Sequence, residues 1–385
     1  MKIPAFVLFI LIVLAVFSAA NYYLFIRGWQ ALPEAGLIRK IYLPAFIILA
    51  SSFIVGRVIE RVYMSAVSDI IMWIGAFWLA FLLYGFLYVL LIDILRAVNH
   101  FTHFFPSFVT ANIVKTKLIL AVAGFAVVVL VIAAGFVNAL NIRIRKLTIE
   151  IDKPASHLTS LNIVMASDVH LGTIFNRARF ASVIEKINSL KPDIVFFAGD
   201  LVDEDVAPVM RHHLGDMFGT IHSKYGTYAI TGNHEYIGGA AKTCAYLNEH
   251  GIKMLKDSVV KIDDSFYVIG REDKDMTRFT GKQRKTLKEL VKETDSNFPI
   301  IVLNHQPNNL REAANERVDL QLSGHTHAGQ MFPFNVLVNK IYDLSYGYRK
   351  INNTHFYVSS GVGTWAPPVR LGSSPEIVNI ILNFR

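Results

Sequence analysis

At 385 residues the chain is long enough for two units, and its charge divides it, with 12 basic against 4 acidic residues up to Lys146 and 26 against 26 after it. The net charge of +8 therefore belongs to the first part, which leaves the second without the basic face that a nucleic-acid enzyme would want. The single cysteine, Cys244, excludes an intrachain disulfide framework and a thiolate metal site, and it reads as a buried small residue.

Lys2 opens the chain, and residues 5–26 run apolar around Ser18-Ala19-Ala20, the outline of a secretory signal peptide. Apolar residues continue at Tyr22–Ile26, so we expect an uncleaved anchor, with cleavage after Ala20 as the alternative. Three further apolar stretches lie at Ile41–Val55, Ile70–Ile92 and Leu118–Leu140. The first of these is short for a bilayer, which takes about 20 residues, unless its flanks join in. Trp73, Trp78, Tyr84 and Tyr88 set aromatic rings near the expected interfaces. Four such stretches predict a multi-pass helical transmembrane bundle over residues 1–146, in a cell membrane. Basic residues tie at six on each side of the spans, and Lys2 with Arg143, Arg145 and Lys146 tips the orientation slightly toward a cytoplasmic C-terminal domain. His100 and His103 sit among Phe101, Phe104 and Phe105 with no carboxylate near in sequence, and read as an aromatic interfacial loop rather than a metal pair.

From Asn141 the period changes. Ile142, Ile144, Leu147, Ile149 and Ile151 recur among polar residues as in a strand, so the second domain, residues 147–385, starts almost at the membrane without a Gly/Ser linker. Helices are predicted over Arg179–Leu190, residues 205–223, Ala240–His250 and the charged stretch Lys282–Lys292. The pair His212-His213 is read as solvated surface, since adjacent residues do not share a helix face. Apolar runs alternate with these helices, and the chain ends strand-rich at Phe356–Ser359 and Ile377–Leu382. The pattern predicts an α/β domain with a layered β-sheet core flanked by helices.

Five apolar runs, Leu161–Ala166, Ile194–Ala198, Thr227–Ile230, Ile300–Leu303 and Leu320–Leu322, lead into short polar signatures. These are Ser167-Asp168-Val169-His170, Gly199-Asp200-Leu201-Val202-Asp203, Gly232-Asn233-His234-Glu235, Asn304-His305 and Gly324-His325-Thr326-His327. Such continuous apolar runs suit strands buried on both faces, and ligands at their carboxyl ends would converge on one edge of a sheet. Every signature delivers Asp, His or Asn, the oxygen and imidazole donors that hold divalent metals. One alone is usually a turn; five in this order, each after a strand, point to a metal site.

In these signatures the chain resembles the calcineurin-like metallophosphoesterases. The stretch Gly324–Gln330 and the tail Ser360–Thr364, Arg370-Leu371-Gly372 and Pro375-Glu376-Ile377 resemble a bacterial branch of that family, some members of which carry N-terminal membrane spans. The resemblance covers about residues 147–385. It implies a hydrolase with two divalent metal ions, Mn, Fe or Zn, with a slight preference for Mn. Asp168, His170, Asp200 and His327 resemble the ligands of one metal, and Asp200, Asn233, His305 and His325 those of the other, with Asp200 as the bridging, catalytic carboxylate. By the same resemblance His234 is a catalytic group beside the phosphoryl rather than a ligand, and Asp203 holds a neighbouring histidine in its tautomer. Arg370 and Gln330 are the expected substrate contacts, and Gly270–Asp273 is expected along the cleft.

The expected function is a membrane-anchored phosphoesterase acting on a phosphomonoester, phosphodiester or pyrophosphate, a substrate range that the short tether extends to membrane lipids. A nuclease would use the same metals but would need a basic groove, which the neutral second domain does not offer. A non-catalytic scaffold or sensor would tolerate losing ligands, and no ligand position is substituted here.

Overall fold

The computed structural model describes residues 3–34 and 36–385, so Lys2 lies outside the described residues. Two compact units divide the chain: a helical one over 1–136 together with 366–369, and an α/β one formed by 137–365 and 370–385.

The helical unit holds α1 (Ile3–Ala31), α2 (Leu37–Val62), α3 (Ala66–Thr102), the one-turn α4 (Ser107–Thr110) and most of α5 (Ile113–Leu140). All but α4 are long and apolar enough to cross a membrane. The helices outrun the apolar stretches that announce them. Helix α2 takes in Arg39 and Lys40 at one end and Arg57 and Arg61 at the other, which lets polar ends meet water while the backbone stays hydrogen-bonded across the lipid. Helix α1 passes through Ala20 without a break. Ser65 and Ser68 cap α3 reciprocally, and His103 closes it in the left-handed conformation. Gly75 of α3 lies directly against the backbone of Ser52 and Phe53 in α2, the close approach that small residues allow between membrane helices. Inside the bundle, Trp78 Nε1 donates to Asn21 Oδ1 at 3.0 Å, and Asp93 takes both Arg27 at 2.6 Å and Arg96 at 3.1 Å.

In chain order the strands of the α/β unit are β1 (Arg143–Ile151), β2 (Ser160–Ala166), β3 (Ile194–Phe197), β4 (Thr227–Ile230), β5 (Lys253–Leu255), β6 (Ser258–Ile262), β7 (Phe266–Gly270), β8 (Ile300–Leu303), β9 (Leu320–Ser323), β10 (Gly347–Ile351), β11 (Thr354–Val358) and β12 (Glu376–Phe384). They form two six-stranded sheets, ordered β1-β12-β2-β3-β4-β5 and β10-β11-β9-β8-β7-β6. Strands β2 to β5 are mutually parallel, as are β7, β8, β9 and β11. Strand β12 runs parallel to β1 and antiparallel to β2.

Side chains alternate along these strands, so each buried strand feeds two cores. Ile163, Met165, Phe196, Ile301 and Leu303 fill the layer between the sheets with Tyr228, Val268 and Ile380. Val164, Val195 and Phe197 instead meet Phe180, Val183 and Ile187 of α6 (Arg177–Ser189). On the far side Ile300, Val302 and Phe356 meet Leu287, Leu290 and Leu310. The product is a helix–sheet–sheet–helix sandwich, an α/β layered core as expected, with two sheets where one edge was anticipated.

Two expected helices are shorter than their patterns. Residues 205–223 yield only Ala207–Arg211 and a 3-10 turn at Gly215–Thr220, because His213 between them turns to φ 50°. The charged stretch Lys282–Lys292 is helical only over Leu287–Val291, where Thr286 and Glu289 form a capping box that sets the start.

Ile380 is fully buried between the sheets on β12. Ile380→Ala is expected to cost about 2–5 kcal/mol, read as a lower unfolding midpoint of the detergent-solubilised protein.

Candidate metal centre

The five signatures leave the carboxyl ends of parallel strands: 167–170 after β2, 199–203 after β3, 232–235 after β4, 304–305 after β8 and 324–327 after β9. Three therefore come from one sheet and two from the other. The loops after β2 and β3 prolong the ladder beyond the sheet, the N–H of Asp168 donating to Gly199 O and that of His170 to Asp200 O, both at 3.0 Å. The His325 N–H donates to Asp168 Oδ1 at 2.8 Å and so ties the two sheets together at this crest.

Two groups of donor atoms result, each within 4.8 Å: Asp168 with His170 and His327, and Asp200 with His305 and His325. His170 Nε2 and His327 Nε2 lie 3.0 Å apart, and His305 Nε2 lies 3.0 Å from Asp200 Oδ2. Asn233 adds an amide oxygen to the second group, 2.9 Å from His325 Nδ1. His305 Nδ1–H donates to Ala198 O at 2.7 Å, which turns Nε2 toward Asp200. A third group, His170, Asp203 and His234, adjoins the first; Asp203 Oδ1 is 3.4 Å from His234 Nδ1 and 3.8 Å from His170 Nδ1.

These groups are buried, Asp168 and Asp200 to 0% and 2% exposure. Burial pushes Asp168 up to about 6, and the Asp200 charge adds to it. Burial would raise Asp200 too, but His305 and His234 hold it well below the usual carboxylate range. Burial would lower His305 and His234; Asp200 reverses this, holding His305 well up and, with Asp203, His234 at about 9. His170 and His325 are pushed down to about 3 by burial and by the charges of His234 and His305 respectively, and burial with His170 holds His327 well below the usual imidazole range. Three neutral imidazoles thus keep lone pairs beside two carboxylates. A buried carboxylate whose Oδ1 lies 3.6 Å from His327 Nε2, set among neutral imidazoles, fits a divalent cation.

The backbone is bent to make this arrangement. Asp168, His170, Asp200, His325 and His327 all have φ between 49° and 73°, the left-handed region, at a cost of about 1–3 kcal/mol each. Glu235, fully buried, steadies the bend by accepting the N–H groups of Asp200 at 3.1 Å, Val202 at 3.0 Å and Gly232 at 2.6 Å. Sequence reasoning quoted Glu235 within its signature and gave it no role. Its spacing of three from Gly232, that of a capping box, was the available signal.

Arg370 and Gln330, the expected substrate contacts, both engage groups within the protein. Arg370 is 0% exposed, and its guanidinium donates to Ser360 O at 2.8 Å and Gly363 O at 2.6 Å, to Ser373 Oγ at 3.2 Å, and meets His327 Nδ1 at 3.3 Å. These bonds tie it to the tail behind His327. Gln330 clasps the Trp365 backbone, donating to its carbonyl at 3.0 Å and accepting its N–H at 2.9 Å. In Gly270–Asp273, Arg271 is buried against Glu312 at 2.9 Å, and Glu272 takes Tyr236 Oη–H at 2.6 Å.

A methyl at Gly232 would collide with the Asp200 carboxylate, whereas one at Gly219 meets nothing within 4 Å. Gly232→Ala is expected to strip divalent metal from the purified full-length protein while Gly219→Ala retains it, as read by elemental analysis.

Comparisons with known proteins place the site in context. Residues 161–329 match the family model described as calcineurin-like phosphoesterase. A metallophosphoesterase of Aquifex aeolicus is 32% identical over 258 residues, 66% of this chain and 97% of that protein. One of Campylobacter jejuni is 29% identical over 387 residues, 99% of both chains. A transmembrane protein with metallophosphoesterase domain from Danio rerio is 33% identical over 261 residues, 64% of this chain but only 59% of that protein's length. With four membrane-capable helices among the described residues the chain is a membrane protein, and it belongs to the calcineurin-like metallophosphoesterases.

Proposed function

We propose that the chain is a membrane-anchored hydrolase that uses two divalent cations to cleave a phosphomonoester, phosphodiester or pyrophosphate bond, with its chemistry in residues 147–385. The observation that carries this reading is the convergence of the Asp168–His170–His327 and Asp200–His305–His325 groups at one crest of the two sheets. Asp168, His170 and His327 would hold one cation; Asn233, His305 and His325 the other; Asp200 is shared. Bound there, the cations, of which Mn, Fe and Zn all suit these donors, supply Lewis acidity to the phosphoryl group and its attacking water.

His234 adjoins both carboxylates. Its ring centroid is 4.5 Å from that of His170, its backbone N–H donates to Asp200 Oδ1 at 2.9 Å, and Asp203 stands behind Nδ1. A carboxylate behind one ring nitrogen fixes the tautomer and gives the other nitrogen to the substrate. As the water oxygen bonds to phosphorus and the P–O ester bond breaks, the departing oxygen takes its proton from His234. The balance of 26 basic and 26 acidic residues after Lys146 supports a small or lipid phosphate over a nucleic acid. The basic run Arg143, Arg145 and Lys146 after α5 supports a cytoplasmic α/β unit.

The test is release of p-nitrophenol from bis-p-nitrophenyl phosphate and p-nitrophenyl phosphate by the full-length protein in detergent with Mn. Chelation is expected to abolish release and Mn to restore it, and Asp200→Asn should lose both metal and activity. His234→Asn is expected to keep its metals while kcat falls by about 10²–10⁴. Two bound metals with no release from either ester would sink hydrolysis in favour of a binding role.

A further inference from the structure

Helix Phe334–Ile341 has no buried residue. Phe332, Phe334, Val336, Leu337 and Ile341 are 52%, 44%, 48%, 54% and 64% exposed, and Trp365 is 53% exposed. Exposed apolar side chains normally occur singly on a water-facing surface. Here Phe334, Leu337 and Ile341, at helical spacing, share one face. The ridge adjoins the metal centre. Gly329, in the turn that carries His327, packs on the backbone of Asn335; the Trp365 ring is 6.0 Å from that of His234; and the Tyr342 ring is 6.1 Å from that of His325.

Two observations say what covers it. The last turn of α5 belongs to the α/β unit, where Asn138 Nδ2 donates to Arg370 O at 3.0 Å and Ser373 O at 2.8 Å, and only Asn141 and Ile142 separate α5 from β1. A bilayer is therefore always within reach of this unit. The stretch that carries the ridge is also basic, with Lys340, Arg349 and Lys350 against Asp343 between Phe332 and Ile351, which complements an anionic lipid surface.

We propose that the Phe334–Ile341 ridge dips into the bilayer interface beside the metal centre, and that the substrate is a phosphate ester carried on a membrane lipid. The substrate half rests on the phosphoesterase reading; the insertion half does not. An amphipathic helix lying in the headgroup layer buries its apolar face among acyl chains, and the loops of His234 and His327 then stand at the depth of lipid phosphates.

The experiment uses the full-length protein in vesicles of phosphatidylcholine and phosphatidylglycerol. Val336→Cys is labelled with the environment-sensitive dye NBD; Cys244, the other thiol, is buried. Blue-shifted emission that brominated acyl chains quench is the expected result. Water-like, unquenched emission would overturn insertion, as would a blue shift without quenching in a protein of doubled mass, which would put a second copy on the ridge. Hydrolysis is then followed on phosphatidic acid, phosphatidylglycerol and a polyprenyl pyrophosphate. The variant carrying Leu337→Glu and Ile341→Glu is expected to keep its rate on bis-p-nitrophenyl phosphate in detergent and to lose at least about tenfold on the lipid that is turned over. Turnover of the soluble ester with none of the lipids would overturn the lipid substrate. Turnover of neither, with the dye quenched, would remove the phosphoesterase reading and leave insertion standing.

Discussion

Negative charge buried where the two sheets meet sets the conditions for everything around it. An ionised carboxylate out of water is costly unless it is paired and hydrogen-bonded, and Asp168 and Asp200 are both out of water. The chain answers in steps. Backbone N–H groups of His325 and His234 donate to the two carboxylates, and His305 sits against Asp200. Glu235 then holds the Asp200 loop by three N–H groups rather than leaving its turn to close itself. Residues just before the ligands, such as Ala166, Ala198 and Leu303, are fully buried. Close-packed strands thus supply the rigidity that left-handed ligand residues require.

The same demand explains the C-terminal tail. Gly361 and Gly363 press against Asp168 and Val169, and the carbonyls of that turn point at Arg370. Burial lowers the Arg370 guanidinium to about 10, so it stays charged at neutral pH. A buried cation satisfied by carbonyls braces the turn through neutral groups. A salt bridge from Arg370 would instead have tied up the Asp168 carboxylate.

The site was legible in the sequence because each ligand follows an apolar run, and a strand end is one of the few places where pattern fixes direction. Asp168, His170, Asp200, Asn233, His305, His325 and His327 are brought together by the fold that those runs imply. The second sheet was not legible. Runs such as Ile300–Leu303 are apolar on both faces whether they join one sheet or two, and only the pairing of β7 with β8 and of β9 with β11 separates them. The bracing contacts of Arg370 were not legible for a related reason: a motif marks a residue as needed and is silent on whether it faces substrate or holds the loop that does. The Phe334–Ile341 helix escaped notice because its apolar residues are too few to read as a span and have no core to pack against.

Charge and polarity are divided unusually along this chain, and the division constrains how a substrate is recognised. The α/β unit carries no net charge to attract a phosphate from a distance, and the buried Arg370 is engaged by carbonyls. On the proposed reading attraction would arise at the centre itself, where two carboxylates set against two dications would leave positive charge for phosphoryl oxygens. The neutral amide of Asn233, in place of a third carboxylate, would preserve that surplus. What surrounds the phosphate would be recognised by other means, and the exposed ring beside His234 is that of Trp365. A centre that bound phosphate by its cations, with the Phe334–Ile341 ridge beside it, would on the lipid proposal select for the ester whose other end is apolar.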